Sequence, residues 1–195
     1  MRRWSTLEAK NLCVAGNLRP LGEVGGWSVE RNTFGAIVFQ THSDGKLYNF
    51  SQLFLSREIW GVDARILNAD FHQEIRERWG SPSDRSWVAS GYIEKEFTRA
   101  VQNYLSFAET HLLIPSPVSI EAGLIGIKGY AIATDPSGVR GNALHDVTQW
   151  RGEADYRTPA WEILAPFFKR MWANCDLLRP AACQVELERQ FRNVR

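Results

Sequence analysis

Phe34-Gly-Ala-Ile-Val-Phe-Gln-Thr41, then Asp44-Gly45, then Lys46-Leu-Tyr-Asn-Phe-Ser-Gln-Leu-Phe-Leu55 decide the fold class of this chain. Both runs are rich in β-branched and aromatic residues, which suit a pleated surface. Asp44-Gly45 between them is a turn pair, because glycine accepts the positive φ of a type I′ hairpin. Residues two apart in a strand share a face. The second run therefore sets Tyr48, Phe50 and Phe54 on one side and Leu47, Leu53 and Leu55 on the other. Both sides are apolar, which predicts a central strand. Ser56-Arg57 links it to a third strand over Glu58–Leu67, at a turn where an Asn-Gly type of pair is expected. Three antiparallel strands in succession make a meander.

Helical signals lie on either side. Ser5-Thr-Leu-Glu8 has the form of a capping box and predicts a short helix over 6–14, ended by Gly16 and Arg19-Pro20. Gly25-Gly26 is a flexible joint. Residues 68–78 read as a short helix or an irregular segment, and 80–86 as a loop. From Tyr92 to Leu113, the residues Ile93, Phe97, Ala100, Val101, Tyr104, Leu105, Ala108 and Leu112 keep a 3.6-residue period. Glu94, Lys95, Arg99, Gln102 and Asn103 fall largely on the opposite, solvent side. Ile114-Pro-Ser-Pro117 stops that helix, since proline removes a donor and restricts its predecessor. Asp135–Gly138 is a turn, and 143–150 holds a short strand. Thr158-Pro159 predicts a second helix, with threonine as cap and proline in its first turn. Pro166 is expected to kink or divide it. Residues 183–192 read as an amphipathic tail with Val185, Leu187 and Phe191 as docking points.

Between the helices lies Ser119–Ala133, an apolar stretch with Gly123, Gly126 and Gly129 at every third position. It lacks the G-x-G-x-x-G order of a dinucleotide loop, and Lys128 is followed by Gly129 rather than the Ser or Thr of a P-loop. Gly126-Ile-Lys-Gly129 matches the G-x-x-G loop of nucleic-acid-binding KH domains, which joins two helices. The flanks here read as strands. The expectation is a core strand whose glycines admit the Tyr92–Leu113 helix, with Lys128 keeping a functional claim.

The totals narrow the function class. A chain of 195 residues suits one packed domain, and 23 Lys+Arg against 22 Asp+Glu leave a net charge of +1. That balance argues against a dedicated nucleic-acid binder. Cys13, Cys175 and Cys183 form no close pair, which suits a reducing, cytoplasmic setting. No leader-like apolar run follows Arg2-Arg3, and no run is long enough to span a membrane. Glu121, alone in an apolar stretch, is a candidate general base, and His145-Asp146 has the form of a phosphohydrolase metal pair. Metal chemistry needs further ligands, and the four histidines have no ligand-like spacing. No nucleophile motif is assembled. The expectation is therefore no catalytic residue, no metal and no cofactor, with a small hydrolase as the remote alternative. Trp27, Tyr48, Phe50, Phe54 and Trp60 form either a base-stacking platform on an open sheet or core beneath the helices, and core is the expectation.

Three blocks carry a resemblance. They are Tyr48–Asp63, Asn103-Tyr-Leu105 leading on to Glu121–Tyr130, and Ala160-Trp-Glu-Ile-Leu-Ala-Pro-Phe-Phe-Lys-Arg-Met-Trp172. Their order and spacing, over roughly residues 24–176, resemble the C-terminal region of bacterial proteins whose N-terminal half is a Schlafen-type divergent AlbA domain. Those proteins are described as DNA-binding or ATP-binding. The AlbA-like half has no counterpart in this sequence, so the resemblance implies an accessory domain and carries over no active-site residue.

The expected fold is a single α+β domain, an antiparallel sheet of a three-strand meander plus one or two further strands, packed by two long helices. Residues 1–23 are expected as an N-terminal helical extension, 24–178 as the domain and 179–195 as the tail. The expected function is a non-catalytic module that binds a partner protein or small ligand. A single-stranded nucleic-acid module is the alternative. The candidate binding residues are Lys128, Gly126, Gly129, Trp60 and Tyr48, and the sequence leaves the oligomeric state open.

Overall fold

The computed structural model describes residues 4–23, 25–41, 45–67, 86–135 and 138–192. The chain is α+β, with an antiparallel meander in the first part of the sequence, followed along the chain by further strands and helices. The expected segments at 68–78 and 80–85 lie outside the described residues, as does Asp44 of the first turn. Its neighbour Gly45 has φ 75°. Contacts group the chain into two compact units, residues 1–65 with 99–116, and residues 66–98 with 117–195.

In the first unit, β1 (Ser28–Asn32), β2 (Gly35–Thr41), β3 (Leu47–Phe54) and β4 (Ile59–Asp63) form a four-stranded antiparallel sheet in sequence order. The meander thus has one strand more than the sequence suggests. Ser-Val-Glu-Arg-Asn is too polar to show a strand period, yet it pairs with β2 from Ser28↔Phe39 to Asn32↔Gly35. Register assigns the two faces. Val38 opposes Ser51 and Ala36 opposes Leu53 on one face, while Phe39 opposes Phe50 and Ile37 opposes Gln52 on the other. The first face is the core face.

Helix α1 (Thr6–Ala15) lies on that core face. Its predicted capping box is present: Glu8 N donates to Ser5 Oγ at 3.2 Å, and Ser5 N donates to the Glu8 carboxylate at 2.8 Å. Ala9 and Cys13 are fully buried with Leu18, Ala36, Val38, Leu53 and Phe107. The helix expected as an extension is therefore part of this unit's core. Helix α2 (Ser90–Thr110) contributes Tyr104, Phe107 and Ala108 from its second half. Tyr104 reaches Ser51 Oγ at 2.5 Å, and Ser51 donates to the Arg19 carbonyl at 2.8 Å. Gly61 on β4 is required here, because a Cβ there would collide with the Tyr104 hydroxyl. Leu113, at φ 51°, turns the chain out of the helix ahead of Pro115.

The second unit contains β5 (Trp87–Ala89), which pairs parallel with β7 (Ala131–Asp135); β7 pairs antiparallel with β8 (Gly138–Arg140). It also contains an antiparallel ribbon of β6 (Val118–Ile125) and β9 (Val147–Ala154). The strand expected over 143–150 thus begins at Val147. Helix α3 (Ala160–Ala173) packs on the ribbon and helix α4 (Ala181–Phe191) on α3. Helix α3 runs on through Pro166, and its N-cap is Pro159 with no side-chain cap; the expected Thr158 cap is not made. In α4, Leu187 and Phe191 are buried and Val185 is exposed.

One predicted solvent position is buried. Glu94, in the first half of α2, is 2% exposed. It accepts Trp172 Nε1 at 2.9 Å and both Arg179 Nε at 3.0 Å and a terminal Arg179 nitrogen at 2.7 Å. The guanidinium also lies 5.4 Å above the Phe168 ring centroid. A buried carboxylate with three charge-matched or N–H donors is satisfied in a way that no local pattern announces.

Candidate functional site

The strongest candidate is the outer face of the meander. Each strand alternates its side chains, so the residues that do not meet α1 and α2 are collected on the opposite face. On β3 these are Tyr48, Phe50, Gln52 and Phe54; on β2, Ile37 and Phe39; on β4, Trp60 and Val62. Ile37, Phe39, Tyr48, Phe50 and Phe54 are half-buried, and Trp60 is 59% exposed. Trp60 sits opposite Gln52 and meets Phe54 edge-on, with ring centroids 5.3 Å apart at 62°. Gln52 is buried among them and accepts Asn32 Nδ2 at 2.6 Å, which leaves an amide pair in an otherwise aromatic surface.

This arrangement corrects the expected core role of the aromatic set. Only Trp27 of the five packs against the buried cluster of the first unit. Tyr48, Phe50, Phe54 and Trp60 lie on the face turned away from it. Both faces of β3 carry apolar residues, so composition alone did not say which face the helices take. Small Ala36 and Val38, and polar Ser51 beneath the Tyr104 hydroxyl, let helices approach closely. Phe39 and Phe50 would hold them off.

The outer face is electrostatically plain. Its ladder positions Ser28, Glu30, Asn32, Ile37, Phe39, Tyr48, Phe50, Gln52, Phe54, Trp60 and Val62 include one carboxylate and no lysine or arginine. Glu30 is paired with Lys10 Nζ at 3.1 Å. A surface of this kind offers stacking and apolar contact but no countercharge for phosphates.

The remaining candidates lie in the second unit. Ser119–Ala133 is not one strand: β6 ends at Ile125, β7 begins at Ala131, and Gly126–Tyr130 is a turn between them. Gly126 and Gly129 have φ of 80° and 82°. Tyr130 N donates to the Ile127 carbonyl at 2.9 Å, so Gly129 fills the third position of a turn that demands a positive φ. The glycines are not spacers for a helix. A Cβ on Gly129 would meet nothing within 4 Å, and one on Gly123 would meet the Thr148 carbonyl of the partner strand at 3.1 Å. The turn is held against 143–146 by Gly126 N to the Asp146 carbonyl at 3.0 Å and Gly129 N to the Ala143 carbonyl at 2.8 Å. Asn174 fixes that segment in turn, accepting His145 N at 2.9 Å and donating to the His145 carbonyl at 3.0 Å. Lys128 is exposed at the tip.

The structure thus brings Tyr48 and Trp60 together on one sheet face, and Gly126, Lys128 and Gly129 into one turn of the other unit. Glu121 is exposed and takes a hydrogen bond from Gln149 across the ribbon. His145 and Asp146 are exposed. Among the described residues no group of three or more His, Cys, Asp or Glu side chains is placed to hold a metal ion, and no helix is long and apolar enough to cross a membrane. Comparison of the chain with family models, curated proteins and solved structures finds no match. Sequence reasoning missed Phe39, Gln52 and Val62 as members of the outer face. The signal was available in the pairing of Phe39 with Phe50, had the register been known.

Proposed function

We propose that this chain is a non-catalytic binding module that presents the outer face of its meander to a partner protein. The observation that carries this reading is the gathering of Tyr48, Phe50, Phe54 and Trp60 on the face opposite α1 and α2. Aromatic residues contribute large contact area at low entropy cost and are enriched at protein interfaces. The lack of lysine and arginine at the described ladder positions of this face favours an uncharged or mildly basic protein surface over nucleic acid. In the Schlafen-type context implied by the three sequence blocks, the module is an accessory to a separate AlbA-like domain.

A photo-reactive phenylalanine analogue placed at Tyr48 in the full chain tests this in the native host. A discrete adduct with one other protein is expected, lost on adding Phe50→Ser and absent when the probe replaces Leu7 on α1. Failure to form any adduct with another protein from position 48 sinks the reading. The competing occupant is single-stranded nucleic acid at the Gly126–Gly129 turn. It would appear as salt-dependent binding that disappears in Lys128→Ala.

A further inference from the structure

The meander has two edges, and they are built differently. The β1 edge is charged, with Glu30 and Arg31 in mid-strand and Lys10 of α1 paired across to Glu30. Charge on an edge strand is a common guard against pairing with another sheet. The β4 edge, Ile59-Trp-Gly-Val-Asp63, has no lysine, arginine, proline or bulge within it. Its backbone polarity follows from the ladder. Phe54 N donates to the Glu58 carbonyl at 2.9 Å and Ala64 N to the Tyr48 carbonyl at 2.8 Å, so Trp60 and Val62 bond inward to β3. In an antiparallel pair these bonded positions alternate with outward-facing ones. The N–H and C=O of Gly61, and those of Ile59, therefore point away from the sheet, and they have no partner among the described residues.

We infer that β4 pairs with β4 of a second copy of this chain, antiparallel about a two-fold axis at Gly61, to give one continuous eight-stranded sheet. The edge is self-complementary in this register. Gly61 faces Gly61 of the second copy, and the two exchange both N–H to C=O bonds. Trp60 faces Val62 of the second copy twice over, on the same outer face, which is a favourable aromatic–β-branched pair. Ile59 falls opposite Asp63, so no like charges meet. A two-fold interface requires this reciprocity, residue i meeting j and j meeting i. The paired sheets would join two aromatic faces into one surface. The inference does not depend on which partner that surface takes.

Sedimentation equilibrium of the purified full chain, from low to high micromolar concentration, tests it with two double variants. Both change only outer-face positions and are checked for unchanged circular dichroism. Trp60→Lys/Val62→Lys sets lysine against lysine at both pairs, and dimerisation is expected to weaken on the order of tenfold or more. Trp60→Lys/Val62→Glu sets lysine against glutamate at both pairs and is expected to recover dimer relative to the first variant. A wild-type chain that stays monomeric overturns the inference. So does a lysine–lysine variant that dimerises like wild type, or a lysine–glutamate variant no tighter than the lysine–lysine one. Adduct formation with another protein from position 48 is read separately and is unaffected by these results.

Discussion

The two faces of the meander carry similar apolar content and do opposite things. The inner face is built of small or modest side chains, Ala36, Val38, Ser51 and Leu53, and it is sealed by α1 and the second half of α2. The outer face is built of Phe39, Tyr48, Phe50, Phe54 and Trp60, and neither helix lies on it. The difference teaches that hydrophobicity does not choose the face that becomes core. Shape does: close helix approach needs low relief, and the inner face of Ala36, Val38, Ser51 and Leu53 has it. Large rings on the outer face are then left without a described helix over them.

The comparison can be broken most readily on the inner side. Leu53→Ala removes a fully buried side chain at the centre of the first unit, and a loss of about 2–5 kcal/mol is expected in urea unfolding. A loss under about 1 kcal/mol would mean that this face is not the core. Alkaline pH gives the next effect. Burial pushes the Cys13 thiol from its ordinary 9.0 up to about 12, and burial also raises the Tyr104 hydroxyl. The folded chain keeps these protons while the unfolded chain releases them. Stability is therefore whole below pH 9 and is lost as pH rises from there towards 12. Urea unfolding across that range should show the fall, and Cys13→Ala should make it shallower. An unchanged slope in that variant would place Cys13 outside the core.

Smaller effects sharpen the contrast. Tyr104→Phe deletes the contact with Ser51, whose hydroxyl keeps the Arg19 carbonyl, so a loss of roughly 1 kcal/mol is expected. Trp60→Ala on the outer face removes an exposed ring and its edge contact with Phe54. It should cost about 1 kcal/mol or less in stability and show its effect in binding instead. A Trp60→Ala chain destabilised as much as Leu53→Ala would show that the outer face is a second core.

Much of the fold was legible in the sequence. The period-two runs at 34–41 and 46–55 gave strands within a residue or two of β2 and β3, because β-branched and aromatic residues fit a pleat wherever it packs. Ser5–Glu8 gave the start of α1, because a capping box is a local hydrogen-bond exchange. The turn at Ser56-Arg57 was placed to within a residue, Leu55 belonging to it rather than to the strand, although its chemistry is unusual. Arg57 adopts φ 74° without being glycine and rests its guanidinium 4.8 Å from the Trp4 ring centroid. The candidate site was half legible: Tyr48 and Trp60 were named, but their placement on the face opposite α1 and α2 was not.

What the sequence by itself determined is what lies within the reach of a few residues: strand period, helix stripe, caps, and the glycines that permit positive φ. Tertiary structure alone decided which face of the meander meets helices, and that Gly126–Gly129 bends the chain between two separate ladders. It also decided that Glu94 is buried, because its donors, Trp172 and Arg179, stand 78 and 85 residues away. The physical reason is common to all three. Each depends on partners distant along the chain, whose contribution is absent from any local pattern until the fold brings them into contact.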